Sequence, residues 1–186
     1  GCYSHMFQNC TKLVQAPELP ATTLAMTCYW YMFDGCTSLS TAPELPATIL
    51  DTQCYQYMFQ NCTSLVNAPA LPAITLAYSC YSNMFSGCES LVNAPALPAT
   101  ILANWCYGSM FKNCTSLVTA PELPATTLVE SCYKYMFQGC ARINYIKALF
   151  TTTPNTLYNS NWVDGVSKTG TFVKNVNATW DVTGVN

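Results

Sequence analysis

Charge is scarce in this chain of 186 residues: Asp, Glu, Lys and Arg together make up 9%, and there is a single histidine, His5. Seven Lys and Arg residues, scattered and outnumbered to a net charge of −2, argue against a nucleic-acid groove, which needs clustered basic side chains. No apolar run approaches the roughly 18 residues of a membrane span, so direct membrane insertion is not expected. A lone histidine leaves no partner to activate a cysteine nucleophile. There is also no glycine-rich phosphate loop. The sequence therefore reads as non-catalytic and without a cofactor. Nor is there a signal peptide: Gly1 stands directly before a repeat-start cysteine, as in a piece cut from a longer protein.

Cysteine is abundant instead, and it is ordered. Cys2, Cys28, Cys54, Cys80, Cys106 and Cys132 recur every 26 residues, and so do Cys10, Cys36, Cys62, Cys88, Cys114 and Cys140. The unit is C-Y-x-x-M-F-x-[GN]-C-x-x-L-x-x-A-P-x-L-P-A-x-x-L-x-x-x. A strict period of this length signals a solenoid whose coils bury their apolar faces against one another. Zinc is a poor fit, because the pairs are C-x7-C and histidine is almost absent.

Within a coil, C-Y-x-x-M-F reads as a short helix, with Cys, Met and Phe on one face. The intervening pairs vary freely, which places them in solvent. Asn9, Gly35, Asn61, Gly87, Asn113 and Gly139 follow at one position, and both residue types accept a left-handed backbone, so this position reads as a helix C-cap. The cap covers all six sites, whereas the overlapping N-x-[ST] glycosylation pattern covers only Asn9, Asn61 and Asn113. Next comes a short strand. Leu13, Leu39, Leu65, Leu91 and Leu117 mark one inward position, and Ala16, Ala42, Ala68, Ala94 and Ala120 another. The proline after each Ala keeps the strand short.

With M-F-x-x-C-x-x-L followed by a proline-bearing strand, residues 2 to about 150 resemble the BspA-like leucine-rich repeats of bacterial surface proteins. The resemblance implies an α/β solenoid: a right-handed leucine-rich-repeat superhelix of 26-residue coils, each a short strand plus a short helix, ending in a degenerate C-terminal cap. Two departures stand out. Met6, Met32, Met58, Met84, Met110 and Met136 occupy a site that is usually Ala. The first cysteine occupies one that is usually Ile. The extra thiols are either small core hydrophobes or partners in intracoil disulfides. The equal numbers favour pairing as Cys2–Cys10, Cys28–Cys36, Cys54–Cys62, Cys80–Cys88, Cys106–Cys114 and Cys132–Cys140.

The expected layout is a solenoid over residues 1–157, with six coils of which the sixth is degenerate, and a worn seventh coil and cap of the same domain over residues 158–186. Trp162 and Trp180 read as cap residues, and Thr171 to Val185 as an edge strand. The amino-terminal edge has no such cap, a pairing hazard that implies upstream coils or self-association.

Functional interest falls on the residues the repeat leaves free. On the strand face these are Gln15, Thr41, Asn67, Asn93, Thr119 and Tyr145. On the helix face they are Trp30, Tyr31, Tyr57 and Tyr135. Glu18, Glu44 and Glu122 share one position, but Ala70 and Ala96 interrupt the row, which reads as solvated surface. The expectation is a surface-displayed or secreted bacterial module binding a protein or glycan. The alternative is a structural spacer in a larger cell-surface protein.

Overall fold

In a computed structural model describing residues 2–153 and 155–180, the repeats lie one upon the next as stacked coils. The C-Y-x-x-M-F segments are not helices. They are ribbons of linked turns, and the only α-helix among the described residues is α1, Thr156–Asn159. Two observations show why. Every fourth residue is left-handed: Thr27, Tyr31 and Gly35 have φ of +55°, +55° and +72°, and Gln53, Tyr57 and Asn61 repeat the pattern. Backbone N–H groups also alternate in destination. Those of Cys28, Trp30, Met32, Asp34 and Cys36 turn back three residues, while those of Thr27, Tyr29, Tyr31, Phe33 and Gly35 donate to Thr52, Cys54, Gln56, Met58 and Gln60 of the next coil. An α-helix would send every N–H back four residues. Here half of them tie one coil to the next.

These bonds continue through the stack. The peptide joining Cys28 to Tyr29 accepts from Tyr3 at 2.9 Å and donates to Cys54 at 2.9 Å. Tyr55, Tyr81 and Tyr107 extend the same file to Cys80, Cys106 and Cys132.

The strand segments are shorter still than expected. Parallel bridges join Gln15, Thr41, Asn67, Asn93, Thr119 and Tyr145 in succession, one residue per coil. A proline two residues after each of the first five withholds a ladder donor. The first strand to lengthen is β1, Tyr145–Ala148, where Ile146-Lys147 replaces Ala-Pro.

Identical residues stack in columns to make one core. Rings of Phe33, Phe59, Phe85, Phe111 and Phe137 lie nearly parallel at 5.5–5.8 Å between centroids. Tyr29, Tyr55, Tyr81, Tyr107 and Tyr133 form a second column at 5.7–6.1 Å. Met58, Met84, Met110 and Met136 are fully buried, as are Leu39, Leu65, Leu91 and Leu117. Coil 1 is more open: Tyr3 and Met6 are 47% and 58% exposed.

At the other end the columns are closed by aromatic residues. Strand β2, Thr171–Lys174, pairs in parallel with β1, placing Phe172 beside Ile146. Asn155 caps α1, its side chain accepting from Leu157 N–H at 2.8 Å. Trp162 is fully buried against Phe137 and Phe150. Trp180 stacks on Phe150 at 4.9 Å and donates its indole N–H to the Phe150 carbonyl at 3.0 Å. Of the edge strand expected to run to Val185, residues 171–174 are strand, and residues 181–186 lie outside the described residues.

Candidate recognition surface

The strand-face row comes together as one exposed file. Gln15, Thr41, Asn67, Asn93, Thr119 and Tyr145 are all exposed, and each is bridged to the next. Inward Leu and Ala on either side force this pair of outward positions in every coil. Asn93 Nδ2 donates to Asn67 Oδ1 at 2.9 Å, so the middle of the row is partly self-satisfied. Val14, Ser40, Val66 and Val92 stand exposed beside it.

A groove follows this row. Over coils 1 and 2 it encloses about 690 Å³ between Val14, Thr41, Pro17, Pro43 and the carboxylates of Glu18 and Glu44. The same repeat positions line further depressions of about 410 Å³ at Pro43, Pro46, Pro69 and Pro72, and about 290 Å³ at Asn93, Val118 and Thr119. Proline fixes φ and carries no N–H, so these walls are stiff and leave no donor to satisfy.

The ribbon face behaves differently, because its rings are turned on one another. Tyr31 stacks on Tyr57 at 4.3 Å and on His5 at 5.0 Å, and Trp30 packs edge-on to both His5 and Tyr31. Burial, with the Tyr57 hydroxyl second, pushes the Tyr31 phenol up to about 12. Tyr135 stands apart from these three. Lys112 and Lys134 lie over its ring at 5.5 and 5.4 Å, and Lys134 also lies 5.1 Å from the Trp105 ring. Nor are the variable ribbon positions uniformly in solvent: Gln56, Ser82 and Ser109 are buried, and Trp105 fills the space a Cβ on Gly108 would enter. His5 belongs to the Tyr31 column at the 26-residue period, which is the signal that would have found it.

The interrupted Glu row divides. Glu122 pairs with Lys147 at 3.0 Å, the one ion pair among the described residues, while Glu18 and Glu44 have none. No group of three or more His, Cys, Asp or Glu residues could hold a metal ion among the described residues. Among the described residues no helix is long and apolar enough to cross a membrane.

The profile of the BspA type leucine rich repeat region matches this chain in six copies, over residues 2–107 and 79–162. The chain belongs to that family. No curated protein and no solved structure matches it.

The BspA type core motif now has a physical meaning at each letter. The Phe rings stack, the Leu side chains plug the coil, and the second cysteine satisfies backbone. Cys62 Sγ donates to the Phe33 carbonyl at 3.1 Å, and Cys36, Cys88, Cys114 and Cys140 do the same to Phe7, Phe59, Phe85 and Phe111. None of the intracoil pairs Cys2–Cys10, Cys28–Cys36, Cys54–Cys62, Cys80–Cys88, Cys106–Cys114 and Cys132–Cys140 is joined: all twelve cysteines are free thiols. The two thiol series form separate columns. Beyond burial, the cysteines that push Cys62 up are Cys88 and Cys36, and those that push Cys106 up are Cys80 and Cys132, never the cysteine eight residues away. Burial drives the ten buried thiols upward from their ordinary range, Cys36 to about 11 and Cys140 to about 12. They are packing groups.

Proposed function

We propose that this chain is a non-catalytic recognition module that binds a macromolecule through its strand face. The observation that carries this reading is the file from Gln15 to Tyr145. One exposed, variable residue per coil is held in parallel register beside a stiff groove, over an invariant core. Repeat scaffolds suit extended contacts of this kind. The ribbon-face aromatics are the weaker candidate, because a sugar needs a free ring face and those of Tyr31 and Tyr135 are covered by rings and lysines. A protein ligand therefore ranks ahead of a glycan. Family membership supports a bacterial surface or secreted setting and a right-handed superhelix, and the pairing of β2 with β1 and the stacking of Trp180 on Phe150 favour one domain that takes in both the coils and the segment after residue 157.

The test is an array of proteins and glycans probed with the chain and two variants. Thr41→Trp, which obstructs the groove, should abolish saturable binding, and Tyr57→Ser on the ribbon face should retain it. The opposite pattern would move the site to the ribbon. A complete lack of ligands for the chain would favour the spacer reading.

A further inference from the structure

The groove is uniform in shape but not in charge. At the position of Glu18 the coils read Glu, Glu, Ala, Ala, Glu. Glu122 is neutralised because coil 6 has Lys147 where the earlier coils have proline, and its ammonium lies along the strand face at 3.0 Å from the carboxylate. For Glu18 and Glu44 the corresponding residues are Pro43 and Pro69, which carry no charge to offer. Lys12, the basic residue nearest in sequence, makes no ion pair among the described residues. Two carboxylates on adjacent coils thus line the stretch of about 690 Å³ with no ion pair among the described residues, and Val14, Pro17 and Pro43 stand beside them.

We infer that the coil 1–coil 2 end of the groove binds an extended segment of another protein that presents a lysine or arginine, its cation taking at Glu18 and Glu44 the place that Lys147 takes at Glu122. This rests on the strand-face reading and adds the chemistry of the partner. The chain itself supplies the precedent: a carboxylate at this repeat position accepts an ammonium lying along the strand face. The apolar flank of Val14 and the prolines suits a segment in which cationic residues alternate with aliphatic ones, since alternate side chains of an extended chain face one way.

The probe is a dye-labelled, end-blocked hexapeptide alternating lysine with valine, followed by fluorescence anisotropy, with a glutamate–valine counterpart as control. The lysine peptide should bind saturably and weaken as salt rises, and the glutamate peptide should not bind. Glu18→Gln with Glu44→Gln should weaken binding about tenfold, the effect of removing two exposed charge contacts, while Glu122→Gln leaves it unchanged. Both side chains are exposed, so the double variant should keep the parent's circular dichroism. No binding of the lysine peptide, or equal binding by the double variant, overturns the inference. Loss of binding in Thr41→Trp combined with indifference to the Glu substitutions would keep the groove as the site and discard its charge preference.

Discussion

The side-chain oxygen of Asn61 occupies the space that a Cβ on Gly87 would need. Asn9 stands in the same relation to Gly35, and Asn113 to Gly139. The alternation of Asn and Gly along the stack is therefore steric: an asparagine in one coil requires a glycine in the next. All six residues are left-handed, with φ between +57° and +77°.

Gly87→Ala should destabilise the chain by about 2–5 kcal/mol, combining a Cβ in left-handed backbone with overpacking against Asn61. Asn61→Gly in the same chain should leave only the backbone part, about 1–2 kcal/mol. Chemical denaturation of both variants and the double variant checks this coupling.

Coil deletions should depend on which coil is removed. Excising residues 78–103 sets Asn61 against Asn113, and excising residues 52–77 sets Gly35 against Gly87. The first deletion should lower the melting temperature more than the second. Excising 52–103 restores a Gly35–Asn113 step like the native Gly35–Asn61 step, and should cost no more than the shortening of the stack.

Thiol labelling should separate the ends of the stack from its middle. Cys2 and Cys10 are exposed and the other ten cysteines are buried. Iodoacetamide applied to the folded chain at pH 8 should add two groups by intact mass, and twelve after unfolding without reductant. A need for reductant to reach the last ten would show that they are paired.

Alkaline pH should unfold the chain. Burial raises the Cys132 thiol to about 11, and the Cys80 and Cys140 thiols to about 12, from the ordinary value of 9.0. Below pH 9 both states hold these protons and stability is complete. Above it the unfolded chain releases protons that the folded chain keeps, so stability falls through the window from about 9 to 12, by about 1.4 kcal/mol per pH unit for each such thiol. Melting curves should be level from pH 6 to 8 and drop steeply above 9.

The aromatic closure at the carboxyl end is testable at Trp180, which is nearly buried on Phe150. Trp180→Ala should cost about 3–5 kcal/mol in denaturant unfolding, in the range for removing a buried aromatic.

The repeat period, the inward Leu and Ala positions and the outward strand-face row were all legible, because each recurs at fixed spacing and only stacking explains that. The ribbon was not. Cys, Met and Phe at spacings of four and five suit a helical face as well as they suit linked turns. The left-handed residues that distinguish the two include Thr27, Tyr31, Gln53 and Tyr57, where no glycine announces them. Among site residues, the stacking of His5, Tyr31 and Tyr57 follows from their shared column. The contact of Lys112 with Tyr135 joins different repeat positions, and no periodicity exposes it. The unequal neutralisation of the Glu row was equally hidden, since it depends on Lys147 reaching back one coil.

The files of peptides that tie the ribbon segments of successive coils together all point one way. The unit joining Cys54 to Tyr55 turns its carbonyl towards coil 2 and its N–H towards coil 4, and the units at Gln56–Tyr57, Met58–Phe59 and Gln60–Asn61 do the same. Each peptide carries a dipole of about 3.5 D, and head-to-tail alignment adds them. The ribbon is thus electrically polar along the stack, negative towards coil 1 and positive towards the carboxyl end. A cationic partner approaching the Glu18 and Glu44 end meets a field of the same sign as the carboxylates themselves.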